Sequence, residues 1–168
     1  MNNLDHFEAP RHAKQSLRLW LRLVACSRVI EARVRRNFET EFNTTLPRFD
    51  VLAALDHAFA NTGKGLTMGD LSKRLLVSNG NVTGIVERLV GEGYLKKTKQ
   101  LSDGRSHIVE LSEAGEIYFK KLASAHESWI DDMLSKLDES EMMVILPMLG
   151  KLKSTLTENQ LKLGKTYE

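Results

Sequence analysis

The chain has 168 residues, enough for one well-filled core or for a small domain with helical extensions. Its 42% hydrophobic and 27% charged content is that of an ordinary globular protein, and no apolar run approaches the ~20 residues that cross a bilayer as a helix. The net charge is only +2, so its distribution rather than its sum is informative, and the single cysteine excludes an internal disulfide framework.

Met1 to His6 lack the basic-then-apolar pattern of a secretory signal, so a cytoplasmic protein with no membrane partner is expected. Pro10 suits the first turn of a long helix, in which Leu19, Leu23, Cys26 and Ile30 fall at i, i+4, i+7 and i+11 and lead on to Val34 and Phe38. Leu17, Leu21 and Val24 widen that stripe. Cys26 shares it and reads as a packing residue, because apolar surroundings leave a thiol unreactive. Asn43, Thr44 and Thr45 break the helix, Pro47 opens another through Phe49, Val51, Leu52 and Leu55, and Asn61 to Gly65 is a loop.

Thr67 with Asp70 three residues on is a capping-box signal, and Leu71 and Leu75 mark the buried face of a short helix. After a break at Leu76 and Val77, Ser78 can cap a second helix whose Val82, Ile85, Val86 and Leu89 form a core stripe. The opposite face is centred on Gly80, Gly84 and Glu87, flanked by Thr83 and Arg88. A glycine inside a helix costs roughly 1 kcal/mol against alanine, so two on one face ask for a reason. Close approach to a major groove is one, with Asn79, Asn81, Thr83 and Arg88 offering groups to base edges or phosphates. An ordinary packed helix that tolerates its glycines is the alternative.

Gly93 can end that helix in the left-handed conformation, Tyr94 to Lys99 reads as a strand, and His107 to Leu111 as its return. Asp103 and Gly104 are turn formers that place Arg105 at a hairpin tip, where its guanidinium, paired to Asp103, can reach a minor groove; a solvated turn is the plainer reading. Between Lys64 and His107, eight basic residues (Lys64, Lys73, Arg74, Arg88, Lys96, Lys97, Lys99 and Arg105) face four acidic ones, the footprint of a phosphate-binding surface. Ser112, with Glu113 and Glu116 in the first turn, opens a helix striped by Tyr118, Leu122, Ala125, Trp129 and Met133. Asp138 and Glu141 announce a last helix striped by Ile145, Leu149, Leu152 and Leu156, which Pro147 should kink near Val144.

The pattern predicts a mainly α fold with a small β-hairpin wing (α+β): a winged helix-turn-helix between long terminal helices. The boundaries are 10–44 for an N-terminal dimerisation helix, 46–111 for the DNA-binding domain and 112–162 for C-terminal dimerisation helices. His6, His12, His57, His107 and His126 show no metal-ligand spacing, and His126 reads as an interface or surface residue. No phosphate-cradling glycine loop with its lysine and no nucleophile elbow is present, so neither an enzyme nor a cofactor is expected.

Over about residues 12 to 160 the chain resembles the MarR family of bacterial transcriptional regulators. The resemblance is carried by Ser78, Val82 and Thr83, Arg88 and Leu89, Gly93, Asp103 and Arg105, then Leu111, Ser112 and Gly115. Gly104 departs from it, standing where the family usually has the first arginine of a pair, and Pro147 is a second departure. The resemblance implies a homodimer built by the terminal helices, two winged domains reading a pseudo-palindrome of double-stranded DNA, and repression relieved by a small molecule. It places Arg18, Trp20, Arg22, Arg48, Phe49 and Asp50 near the ligand pocket, a lining suited to an anionic aromatic acid or an acyl-CoA thioester. Some members sense oxidants through a first-helix cysteine, which gives Cys26 a redox alternative, and winged helices elsewhere serve as protein- or RNA-docking modules. Replacing Arg105 by alanine should weaken operator binding strongly while leaving the dimer intact; a gel-shift titration at fixed salt checks this, and unchanged affinity counts against the wing.

Overall fold

A computed structural model describes residues 14–75, 79–99 and 107–164. Pro10, Leu76, Val77, Ser78, Asp103, Gly104 and Arg105 therefore lie outside the described residues. The order of elements is α1 (Gln15–Phe42), α2 (Leu46–Thr62), β1 (Leu66–Thr67), α3 (Met68–Leu75), α4 (Asn79–Gly91), β2 (Leu95–Lys99), β3 (His107–Leu111), α5 (Glu113–Leu134) and α6 (Glu139–Gly164). Two compact units divide the chain, one running up to Trp129 and the other from Ile130.

In the first unit, α1 ends where Asn43 turns left-handed at φ 48°, and the Thr44 N–H donates to the Phe38 carbonyl at 3.1 Å. Pro47 then sits in the first turn of α2, where its missing N–H costs nothing. α2 is the central element, burying Phe49, Val51, Leu52, Leu55 and Ala58. Phe38 of α1 and Phe49 of α2 meet at 4.8 Å between ring centroids, and α5 closes over them with Phe119, His126 and Trp129. Leu71, Val82, Val86, Leu89, Val109 and Leu122 complete the core from the remaining elements.

The sheet is antiparallel in the order β1-β3-β2. β2 and β3 pair from Leu95 opposite Leu111 to Lys99 opposite His107, the expected wing. A third strand, β1, had no sequence signal: two residues show no alternation, and its partners Val109 and Ile108 lie some forty positions away. Its approach needs Gly65, where a Cβ would run into the Val109 carbonyl and the Ile108 and Glu110 side chains.

A tight joint links the wing to α5. Gly93, at φ 82°, ends α4, and the Tyr94 N–H reaches back to the Leu89 carbonyl at 2.9 Å. Ser112 then caps α5, accepting from the Gly115 N–H at 3.0 Å while its hydroxyl donates to the Gly93 carbonyl at 2.6 Å. The Ser112 N–H donates to the Tyr94 carbonyl at 3.0 Å, and a Cβ on Gly115 would collide with that same carbonyl oxygen.

One sequence expectation is corrected here. Cys26 is exposed, because only the C-terminal part of the α1 stripe, Val34 and Phe38, is buried within the chain, while Leu17, Leu19 and Leu21 remain uncovered. His126 is half-buried, 4.9 Å from the Phe49 ring and stacked at 5.9 Å on Phe38.

In the second unit, the end of α5 turns at Ser135 to Leu137, and the Leu137 N–H donates to the Leu134 carbonyl at 2.9 Å. Asp138 and Glu141 form the reciprocal capping box: each backbone N–H donates to the other's carboxylate at 2.9 Å. α6 runs from Glu139 to Gly164 with Pro147 inside it.

The joint generates a test. Gly115→Ala should destabilise the protein by about 1–3 kcal/mol, the range for forcing a methyl into a filled space. Urea denaturation measures it, and a midpoint equal to wild type would mean that the backbone relaxes freely there.

Candidate nucleic-acid interface

Burial of Val82, Val86 and Leu89 at 0% exposure, with Ile85 half-buried beside them, fixes the rotation of α4 about its axis. In front of α4, Thr67 caps α3: its hydroxyl accepts from the Asp70 N–H at 3.1 Å and donates to the Asp70 carboxylate at 2.6 Å. The opposite face of α4 is outward. Gly80, Asn81, Gly84, Glu87, Arg88 and Gly91 are exposed and Thr83 is half-buried. At Gly80, Gly84 and Gly91 nothing stands within 4 Å of where a Cβ would be, so these glycines answer to no packing demand inside the chain. Asn79 begins the helix.

Beside this face, Lys96, Lys97, Thr98 and Lys99 of β2 are all exposed, and only Leu95 turns inward. Lys97 connects the two surfaces, its Nζ 4.0 Å from Oε1 of Glu87. Of the sequence-derived DNA residues, Gly80, Asn81, Gly84 and Arg88 share the outward side of α4, and Lys96, Lys97 and Lys99 are exposed on the wing strand. Glu87 lies exposed on the same outward face, although the sequence reading did not include it among the DNA residues.

A second ion pair braces the helix from behind. Arg48, in the first turn of α2, forks onto Glu92 just past the end of α4, with Nη1 to Oε1 at 2.9 Å and Nη2 to Oε2 as the second bond. Hydrogen bonding to Arg48 holds the Glu92 carboxyl below the usual range, and the same bond raises the Arg48 guanidinium. Arg48, expected near a ligand, is thus engaged with Glu92.

The other expected ligand residues are spread out. Arg18, Trp20 and Arg22 are exposed on the first turns of α1, and Phe49 is buried in the aromatic cluster. Asp50 is half-buried, and burial pushes its carboxyl up against the opposing pull of Arg35. An open hollow of about 410 Å³ is lined by Ser27, Ile30, Glu31, Val34, Leu46 and His126, none of them among the expected ligand residues.

A model of the MarR family matches residues 42–106. The chain is 31% identical over 106 residues to the transcriptional activatory protein BadR of Rhodopseudomonas palustris, an alignment covering 63% of this chain and 59% of BadR. It therefore spans less than two thirds of that relative. A solved MarR family transcriptional regulator from Silicibacter pomeroyi superposes with a TM-score of 0.70 at 27% identity, covering 88% of this chain and 99% of that one. A mutant of MarR from E. coli complexed with operator DNA superposes with a TM-score of 0.67 at 20% identity, covering 83% and 97%.

The half-buried histidine gives the unit a pH dependence. Burial among the rings holds the His126 imidazole below its ordinary value, which is about 6.5. The folded chain thus takes up this proton less readily than the unfolded one, so stability is full above the unfolded value and declines as pH falls through it. Denaturation midpoints should drop between about pH 7 and pH 5, and His126→Phe should remove part of that drop. Superimposable pH profiles for the two proteins would show that the ring is not penalised.

Proposed function

We propose that the chain, whose residues 42–106 match a model of the MarR family, is a member of that family and a cytoplasmic, DNA-binding transcriptional regulator that acts as a homodimer on a pseudo-palindromic operator. The observation that carries this reading is the outward face of α4, bare at Gly80, Gly84 and Gly91, beside the exposed lysines of β2. A helix so stripped lets its backbone approach a groove closely, and adjacent ammonium groups supply the salt-dependent hold on phosphates. Ser78, Asp103 and Arg105 belong to the same surface in this reading, Arg105 as the minor-groove contact at the wing tip.

Exposed apolar side chains support the dimer. Leu17, Leu19, Trp20, Leu21 and Val29 on α1, and Met143, Val144, Leu146 and Met148 on α6, are each at least 40% exposed. Exposed apolar side chains grouped on one helix favour an interaction face on it. A two-fold pair of recognition helices meets successive major grooves about 34 Å apart, on half-sites about 10 base pairs centre to centre. The regulator acts as a repressor released by a small-molecule effector, an anionic aromatic acid or its CoA thioester. The hollow beside His126 and Ile30 is the seat proposed for its apolar part, with Arg18 and Arg22 of α1 as cationic candidates for its charge. The exposure of Cys26 supports one second reading, release through oxidation of that thiol.

Footprinting on the promoter beside the protein's own gene tests the proposal, across a salt series and with aromatic acids, their CoA esters or peroxide added. Two protected half-sites whose occupancy falls with salt are expected, while weak, nonselective binding would favour a docking module. Gly84→Ala sharpens the test: it should stabilise the fold by about 0.5–1 kcal/mol in a thermal melt and yet weaken the footprint, because the added methyl faces the groove.

A further inference from the structure

We infer that Glu87 is a base-reading residue of α4, selecting a cytosine at one position of each operator half-site. This rests on the DNA-binding reading above and adds a specificity to it. Glu87 lies seven residues after Gly80, three after Gly84 and four before Gly91, so it shares their outward line. Its side chain is 64% exposed. It is the long side chain on that line, standing where the backbone on either side comes close to whatever the face meets. A carboxylate presented to DNA is repelled by phosphates, and it needs a donor on the nucleic acid to be favourable. In the major groove the cytosine N4 amino group is such a donor, and Glu is a residue suited to accept from it.

The second observation is Lys97. Its ammonium, on the wing strand, lies 4.0 Å from the Glu87 carboxylate, with the two side chains 30% and 64% exposed. A pair this open is worth little to stability, but its charges offset each other as the phosphates approach. It leaves Oε2 of Glu87 and the outer lone pairs of Oε1 available to a base. Glu92, the other acidic residue at this end of α4, is spoken for by Arg48. Glu87 is therefore the carboxylate placed to read.

Selection from a random duplex pool with the full-length protein tests the role. Wild type should show a cytosine preference of roughly tenfold to hundredfold at one position per half-site. Glu87→Ala should lose it while keeping the other positions, and Glu87→Gln should shift the preference toward adenine, which a glutamine amide reads. Lys97→Ala should retain the cytosine and instead lower affinity for all sequences, reducing the salt slope by about one. Thermal melts matching wild type confirm that the variants are folded. Selective binding by wild type without a cytosine position, or a cytosine preference that survives Glu87→Ala, overturns this inference and leaves the DNA-binding reading standing. Failure of wild type to select any sequence overturns that reading itself.

Discussion

Everything in the winged part of the molecule depends on the missing side chain at Gly115. Because nothing projects there, the first turn of α5 can lie against the Tyr94 carbonyl, and Ser112 can hydrogen-bond in three directions at once. One hydroxyl thereby caps α5 and satisfies the carbonyl of the left-handed residue that ends α4. The end of α4, the base of β2 and the start of α5 meet in one hydrogen-bonded corner. The register of β2 on β3 begins at that corner, with Leu95 opposite Leu111, so the placement of the wing lysines follows from it. The stacking of Tyr94 on Tyr118, at 4.3 Å between centroids, reinforces the contact one turn further along α5.

The parts of this architecture legible in the sequence were those written locally. The α4 stripe, the stop at Gly93, the cap at Ser112 and the Asp138–Glu141 box each lie within a few residues, and each has a short-range physical cause. Gly115 was visible as a motif position, but its reason was not, since the atom it avoids belongs to Tyr94. β1 escaped because two residues carry no periodicity. The Arg48–Glu92 bridge escaped because it joins positions 44 apart. The Cys26 expectation failed for a related reason: a stripe says which residues are apolar, and only the fold says which stretch of it the chain itself can cover.

The candidate site divides along the same line. The bare face of α4 and the basic wing strand follow from helical and strand periodicity. What periodicity could not supply was the relation between them, which Lys97 makes by reaching Glu87 across elements. The ligand side was least legible: side chains grouped by type in the sequence separate in space into an exposed start of α1, a buried Phe49 and a guanidinium engaged with Glu92.

The glycines of α4 also bear on how the helix persists at all. Three of its thirteen residues are glycines with nothing around them, each costing about 1 kcal/mol of helical preference. A peptide of this sequence would spend little time helical in water. α4 persists because Val82, Val86 and Leu89 are clamped in the core, so any fluctuation that loosens those three residues also dissolves the surface on the other side. The outward face of α4 and the core beneath it should then open and close together, with amide exchange along α4 following that shared opening rather than fraying of the helix alone.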